Sequence, residues 1–238
     1  SLSNLQAISN ASADDMKTLE ARIREVAKTS VFSASETADA ATELAAAGMN
    51  VKQIYEALPA VLTLAATSNM KVAQAAELST SIMNAMGLQA KDLGHVMDVL
   101  AKTANESNAG VQDLGEGFKI VAPLAHTLGM SIEDVAAMFG ILSNNGIKGS
   151  EAATALRGIL ASLLNPVGQT EQAVKALNLQ LRDQTGNLKP MPALLEEFRK
   201  KTMGMTDSQK SMYASMLVGR EGVSAFLGLV NAGGDDLT

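Results

Sequence analysis

Two histidines, His95 and His126, are the first places to look for chemistry in this chain. A neutral imidazole can ligate a metal or carry a proton near neutral pH. They stand 31 residues apart, with no cysteine or carboxylate read as completing a ligand set, and two are too few for a histidine-built centre. Both read as helix-surface or packing residues. Cysteine is absent, which removes disulfides, thiolate metal sites and a cysteine nucleophile.

Paired carboxylates occur at Glu196-Glu197 and Asp235-Asp236. Adjacent residues diverge by about 100° on a helix, so neither pair can hold the converging geometry of a general acid and base. Both read as solvated. Asn144-Asn145-Gly146-Ile147-Lys148-Gly149-Ser150 before a helix has the flavour of a phosphate loop. The spacing is wrong for one and no strand precedes it; the stretch reads as a turn with Ser150 as helix N-cap. Gly115-Glu116-Gly117 lacks the third glycine and the strand of a dinucleotide site. No Gly-x-Ser-x-Gly elbow occurs. The residues therefore offer no catalytic set, no cofactor site and no metal site.

The elements behind these residues are helices, and they recur. Gly48-Met49-Asn50, Gly87-Leu88-Gln89 and Gly129-Met130-Ser131 each read as a helix-ending glycine, an apolar residue and a small polar residue that opens the next helix. The glycines are 39 and 42 residues apart. A period near 40 with helical patterning predicts helix-pair repeats that bury their apolar faces by stacking on neighbours. The expected fold is all-α: helical-hairpin repeats of about 40 residues in a solenoid-like or irregular bundle array. The expected division is an opening helix and lead-in over 1–30, a repeat core over 31–165 and a helical appendix over 166–238.

In order, residues 1–10 read as a polar, weakly patterned lead-in. Residues 14–28 form a helix with Met16, Leu19, Ile23 and Val26 on one face, packed on later helices or serving as a coiled-coil seam. Ser33-x-x-Glu36 is a capping box. Helices follow over 51–67, 71–86, 91–105, 111–128, 132–143 and 150–164, with Pro59 and Pro123 expected to kink two of them. Asn165-Pro166-Val167-Gly168 marks a boundary. A short helix spans 169–177, and alternation around Asp183-Gln184-Thr185-Gly186-Asn187 predicts a small β-hairpin near 179–191. Helices over 192–201, 206–217 and 221–230 complete the chain, and 233–236 is expected to fray.

Composition agrees. Of 238 residues 47% are hydrophobic yet only 3% aromatic, with 13 Met and no Trp. Alanine and methionine carry the apolar share, which suits thin, closely approaching helices. Only 18% are charged, so a weakly polar face covered by a partner is expected. A net charge of −6 gives no electrostatic footprint for phosphate backbones, so nucleic-acid binding is disfavoured. The longest apolar run, 58–66, is broken by Pro59 and Thr63, so no membrane span is expected. The chain starts without Met and reads as a piece of a longer protein.

An ordered series of segments resembles the core region of phage tail tape-measure proteins. It comprises the helix over 35–48, Ala57-Leu58-Pro59-Ala60-Val61-Leu62-Thr63-Leu64-Ala65, and Leu128-Gly129-Met130-Ser131-Ile132-Glu133-Asp134. It continues through Gly146 to Gly158 and ends on Leu217-Val218-Gly219-Arg220-Glu221-Gly222. The resemblance covers about 14–231 and rests on the series rather than on any single motif. It implies a non-enzymatic structural role: a core that templates tail-tube length during virion assembly. The location implied is inside the tail tube of the virion, and the bacterial host cytoplasm during assembly. The partners implied are tail-tube subunits, tail assembly chaperones and tail-tip proteins, with self-association left open. Two other readings stay open on the residues alone: a non-enzymatic α-solenoid interaction scaffold, and an enzyme whose active residues are not recognisable.

Overall fold

The computed structural model describes residues 2–232; the expected fraying at 233–236 lies outside them. The described residues are almost wholly helical and form no strand. By compactness the chain divides into two units, Ser1–Lys102 and Thr103–Thr238.

The first unit holds α1 (Leu2–Ser9), α2 (Ala13–Lys28), α3 (Ala34–Ala46), α4 (Val51–Thr67) and α5 (Val72–Ala85). A 3-10 turn (Ala90–Asp92) then leads into α6 (Leu93–Glu106), within which the division between the units falls. Its main packing is α3 against α5, with α1 on α3 and α2 on both α3 and α4. The α3 face is small: Thr37, Ala38, Ala40, Ala41, Leu44 and Ala45 are buried. α5 answers with Ala75, Ala76, Ser79 and Thr80 beside Ile82 and Met83. Side chains this short let two backbones approach closely.

Residues 1–10 are not an unpatterned lead-in: α1 is a helix whose Leu5 is fully buried. An eight-residue stretch is too short to establish a helical period, and its seat on α3 reveals its role. The α2 stripe is buried within the unit at Leu19, Ile23 and Val26. Ser12 and Asp15 start α2 with a reciprocal capping box that precedes the expected helix start.

Helix ends follow one local device. At Gly48, φ is +91°, a conformation cheap only without a Cβ. The Gly48 N–H donates to Ala45 O (2.9 Å) and the Met49 N–H to Leu44 O (3.1 Å), while the Met49 side chain is buried. This is the Schellman arrangement, which satisfies last-turn carbonyls and pins an apolar residue to the helix it ends. The same six-to-one bond reaches back from Met70, Leu88, Met130, Ile147 and Leu179.

The second unit holds α7 (Val111–Thr127), α8 (Ile132–Asn144), α9 (Gly149–Leu164), α10 (Gln169–Leu177), α11 (Met191–Lys201) and α12 (Asp207–Ala232). α7 lies on α9, and α12 packs on α8, α9, α10 and α11. Edge-to-face pairs Phe118–Phe139 (5.5 Å) and Phe198–Phe226 (5.0 Å) fill the wider gaps. α12 is two helical segments joined at Gly219, whose φ of 77° and ψ of 166° are not helical.

Two local expectations are corrected here. The stretch near 179–191 forms a tight turn closed by a single antiparallel bridge, Arg182 to Leu188, rather than paired strands. Ser150 does not cap α9: the helix opens at Gly149 behind Lys148, which supplies no side-chain cap. Pro59 and Pro123 sit inside uninterrupted helices, α4 and α7.

These two helices also share a pattern. Both have 17 residues, starting on Val and ending on Thr. Val51, Ile54, Glu56, Leu58, Val61, Leu64, Ala65 and Thr67 match Val111, Leu114, Glu116, Phe118, Val121, Leu124, Ala125 and Thr127 at an offset of 60. Each terminal threonine hydroxyl donates four residues back, to Thr63 O and to Pro123 O.

Candidate functional site

His95 lies on an exposed position of α6 in the first unit and His126 in the exposed last turn of α7 in the second. The sequence reading passed over Asp92 and Asp98, three residues either side of His95, a spacing that shares one helix face. Among the described residues no group of three or more His, Cys, Asp or Glu could hold a metal ion.

The glycines have structural tasks. A Cβ on Gly117 would sit 2.8 Å from the Phe139 ring, so this glycine is the floor on which the ring lies. At Gly149, where α9 opens, a Cβ would lie 3.4 Å from Glu116 Oε2 and 3.5 Å from Asp113 Oδ1. Carboxylates beside a helix N-terminus favour its dipole and repel a phosphate. The loop before α9 is thus electrostatically set against an anion.

The carboxylate pairs divide. Asp235-Asp236 lies outside the described residues. Glu196 and Glu197 point apart. Glu196 takes two hydrogen bonds from Arg199, 2.7 and 3.0 Å, with Lys200 at 3.5 Å. The hydrogen-bonded Arg199 holds its carboxyl below the usual range. Glu197 is not simply solvated, as expected, but clips the tight turn onto α11. Its Oε1 accepts the Gln180 N–H (2.6 Å) and its Oε2 the Lys189 ammonium (3.0 Å). Burial raises its pKa, while the Gln180 and Lys189 hydrogen bonds more than offset that, leaving it lowered. Neither glutamate is poised to move protons near neutral pH.

Other side chains of the second unit also do backbone work that sequence reading missed. Arg182 donates to Leu164 O (2.7 Å) at the end of α9 and to Gly186 O (2.8 Å) within the turn. Asp183 gathers the Thr185 hydroxyl (2.6 Å) and the Thr185 and Asn187 N–H groups, and the Thr185 hydroxyl is the main cause of its lowered pKa. The Thr170 hydroxyl lies 3.2 Å from Met216 O and Leu217 O, carbonyls that the break at Gly219 frees. Gly219 in the sequence signals such freed carbonyls; nothing local names Thr170 as their donor.

A small cleft lies in the second unit among Leu128, Met130, Asp134, Leu160, Leu188 and Met191, about 90 Å³ in volume. That is room for a few waters only. Its acid, Asp134, already accepts the Ser131 N–H in the α8 cap. Among the described residues, these side chains secure helix ends and turns. No described helix is long and apolar enough to cross a membrane.

Comparison with known proteins gives the chain its relatives. A tape measure protein of Pneumococcus phage Dp-1 is 36% identical over 236 residues, covering 99% of this chain. A probable tape measure protein of Escherichia phage P2 is 31% identical over 236 residues, covering 97%. The chain spans only 20% and 29% of the lengths of those two proteins. No solved structure matches it. The model of one family, described as phage-related minor tail protein, matches residues 20–219, and the chain belongs to that family.

Proposed function

We propose that this chain is a section of a tape-measure protein: a non-enzymatic structural core that templates tail-tube length while a phage or prophage tail assembles. The observation that carries this reading is end-to-end similarity to sections of two proteins named tape measure and probable tape measure. In this role it resides in the virion tail, inside the tube, and passes through the host cytoplasm during assembly. Its partners are tail-tube subunits, tail assembly chaperones and tail-tip proteins. By sequence pattern rather than compactness, it comprises a lead-in over 1–30, a repeat core over 31–165 and an appendix over 166–238. The core is a stack of helix pairs: each glycine interval, 48 to 87 and 87 to 129, holds two helices.

The test is a deletion that rebuilds its own junction. Removing residues 51–110 from the full-length protein joins Asn50 directly to α7, which repeats the α4 pattern. Sixty residues spanning the tube as extended helix would shorten the tail by roughly 90 Å, at 1.5 Å each. Folded back as stacked helices they would shorten it by on the order of 10–20 Å, one or two interhelical spacings. We expect the smaller shift, with a narrow length distribution in electron micrographs. Intact tails of unaltered length would remove this section from the ruler and favour a scaffold outside it.

A further inference from the structure

Pro59 has no N–H, so it leaves the carbonyl four residues back, Tyr55 O, without its intrahelical donor. The structure supplies one from another helix: Arg22 Nε of α2 donates to Tyr55 O at 3.3 Å. The same guanidinium lies 4.4 Å from the centroid of the Tyr55 ring, and its Nη1 contacts Glu25 Oε2 at 3.0 Å. The Arg22 side chain is only 20% exposed, so the donor works where water competes poorly. The buried residues of α2 are the apolar Leu19, Ile23 and Val26, and the helix packs on α3 and α4.

α7 provides the contrast. Its proline stands at 123, which corresponds to Thr63 of α4, and Pro59 corresponds to Lys119. The carbonyl that Pro123 frees belongs to Lys119, an exposed residue that water can reach. The position of the proline is therefore not part of the shared helix pattern. In α4 it opens one acceptor where α2 crosses.

We propose that Pro59 and Arg22 form a matched latch. The proline opens a single main-chain acceptor on α4, and the arginine closes it, fixing α2 in one register as a strap over α3 and α4. An apolar stripe alone can slide along an alanine-rich surface by a helical turn; one directional, stacked hydrogen bond cannot. When the latch opens, α2 lifts as a local unit while α3–α5 stay packed. This inference does not depend on the tail-length role.

Native-state hydrogen exchange on this chain tests it, with Arg22→Met, which keeps the aliphatic packing and removes the donors. α2 amides should exchange about tenfold faster, the scale of one charge-assisted hydrogen bond. In a Pro59→Ala background residue 59 has an N–H for Tyr55 O, and the same Arg22→Met change should speed α2 exchange less than about threefold. Glu25→Ala should leave α2 exchange unchanged, because that carboxylate is 64% exposed. Equal acceleration by Arg22→Met in both backgrounds would overturn the latch, as would none at all. An equal effect of Glu25→Ala would assign the hold to the ion pair. A cooperative loss of all helices in Arg22→Met, read first by circular dichroism, would show that α2 is no separable strap.

Discussion

Gly117 and Gly158 are both mid-helix glycines, and their surroundings give them opposite meanings. Alanine at a helix interior is favoured over glycine by about 1 kcal/mol. At Gly158 nothing lies within 4 Å of a built Cβ, so Gly158→Ala should stabilise by about 0.5–1 kcal/mol. At Gly117 the added methyl meets Phe139 at 2.8 Å and would disturb the Phe118–Phe139 contact. Overpacking of this kind costs about 1–3 kcal/mol, so Gly117→Ala should be net destabilising by up to about 2 kcal/mol once the helix gain is subtracted. Urea unfolding of the two variants gives the comparison; a stabilised Gly117→Ala would mean that the Phe139 ring is free to move aside.

Individual helices begin on reciprocal caps, and the one that opens α3 titrates. The Ser33 N–H and hydroxyl both bond the Glu36 carboxylate, at 2.8 and 2.7 Å, and the backbone bond is the main cause of its lowered pKa. A carboxyl whose pKa falls on folding binds its proton more weakly in the folded chain. Its stabilisation is complete above the ordinary carboxyl pKa and is lost as pH falls through the lowered value. Asp183, Glu196 and Glu197 shift in the same direction, so acid should loosen the α3 cap, the turn and α11 together. Glu36→Gln keeps an acceptor but no titrating group. Its melting temperature should therefore fall less steeply than the parent's between about pH 5 and 3. Coincident acid limbs for the two proteins would show that the cap contributes nothing to the pH dependence.

The balance of charge across the whole chain is mildly acidic. The net charge is −6, and five of the eight cations of the appendix are engaged: Lys175 with Glu171, Lys189 with Glu197, Arg199 and Lys200 with Glu196, and Arg182 with main-chain carbonyls. Binding to duplex DNA draws on free cations that release condensed counterions. This section should therefore not shift duplex DNA in a gel at physiological salt; micromolar, salt-dependent retention would contradict that.

What was readable in the sequence is what is decided within four or five residues. Ser33 with Glu36, Ser131 with Asp134 and the left-handed stops at Gly48, Gly87 and Gly129 are local hydrogen-bond and φ preferences, so most helices and most of their boundaries could be written down. Leu179 and Leu181 alternate like a strand, but only tertiary packing reduces that stretch to one bridge: Glu197 and Arg182 hold its backbone from outside. Likewise α1 is only eight residues long, too short to establish a helical period, and the family relationship came from an ordered series rather than any one site. Pairing partners were equally hidden. Alanine faces are nearly interchangeable, so sequence adjacency pointed to neighbours, whereas burial chose α3 with α5 and α7 with α9. Proline at 59 announces a freed carbonyl at Tyr55, but that Arg22, 33 residues earlier, should supply the donor is settled only when α2 lies across α4.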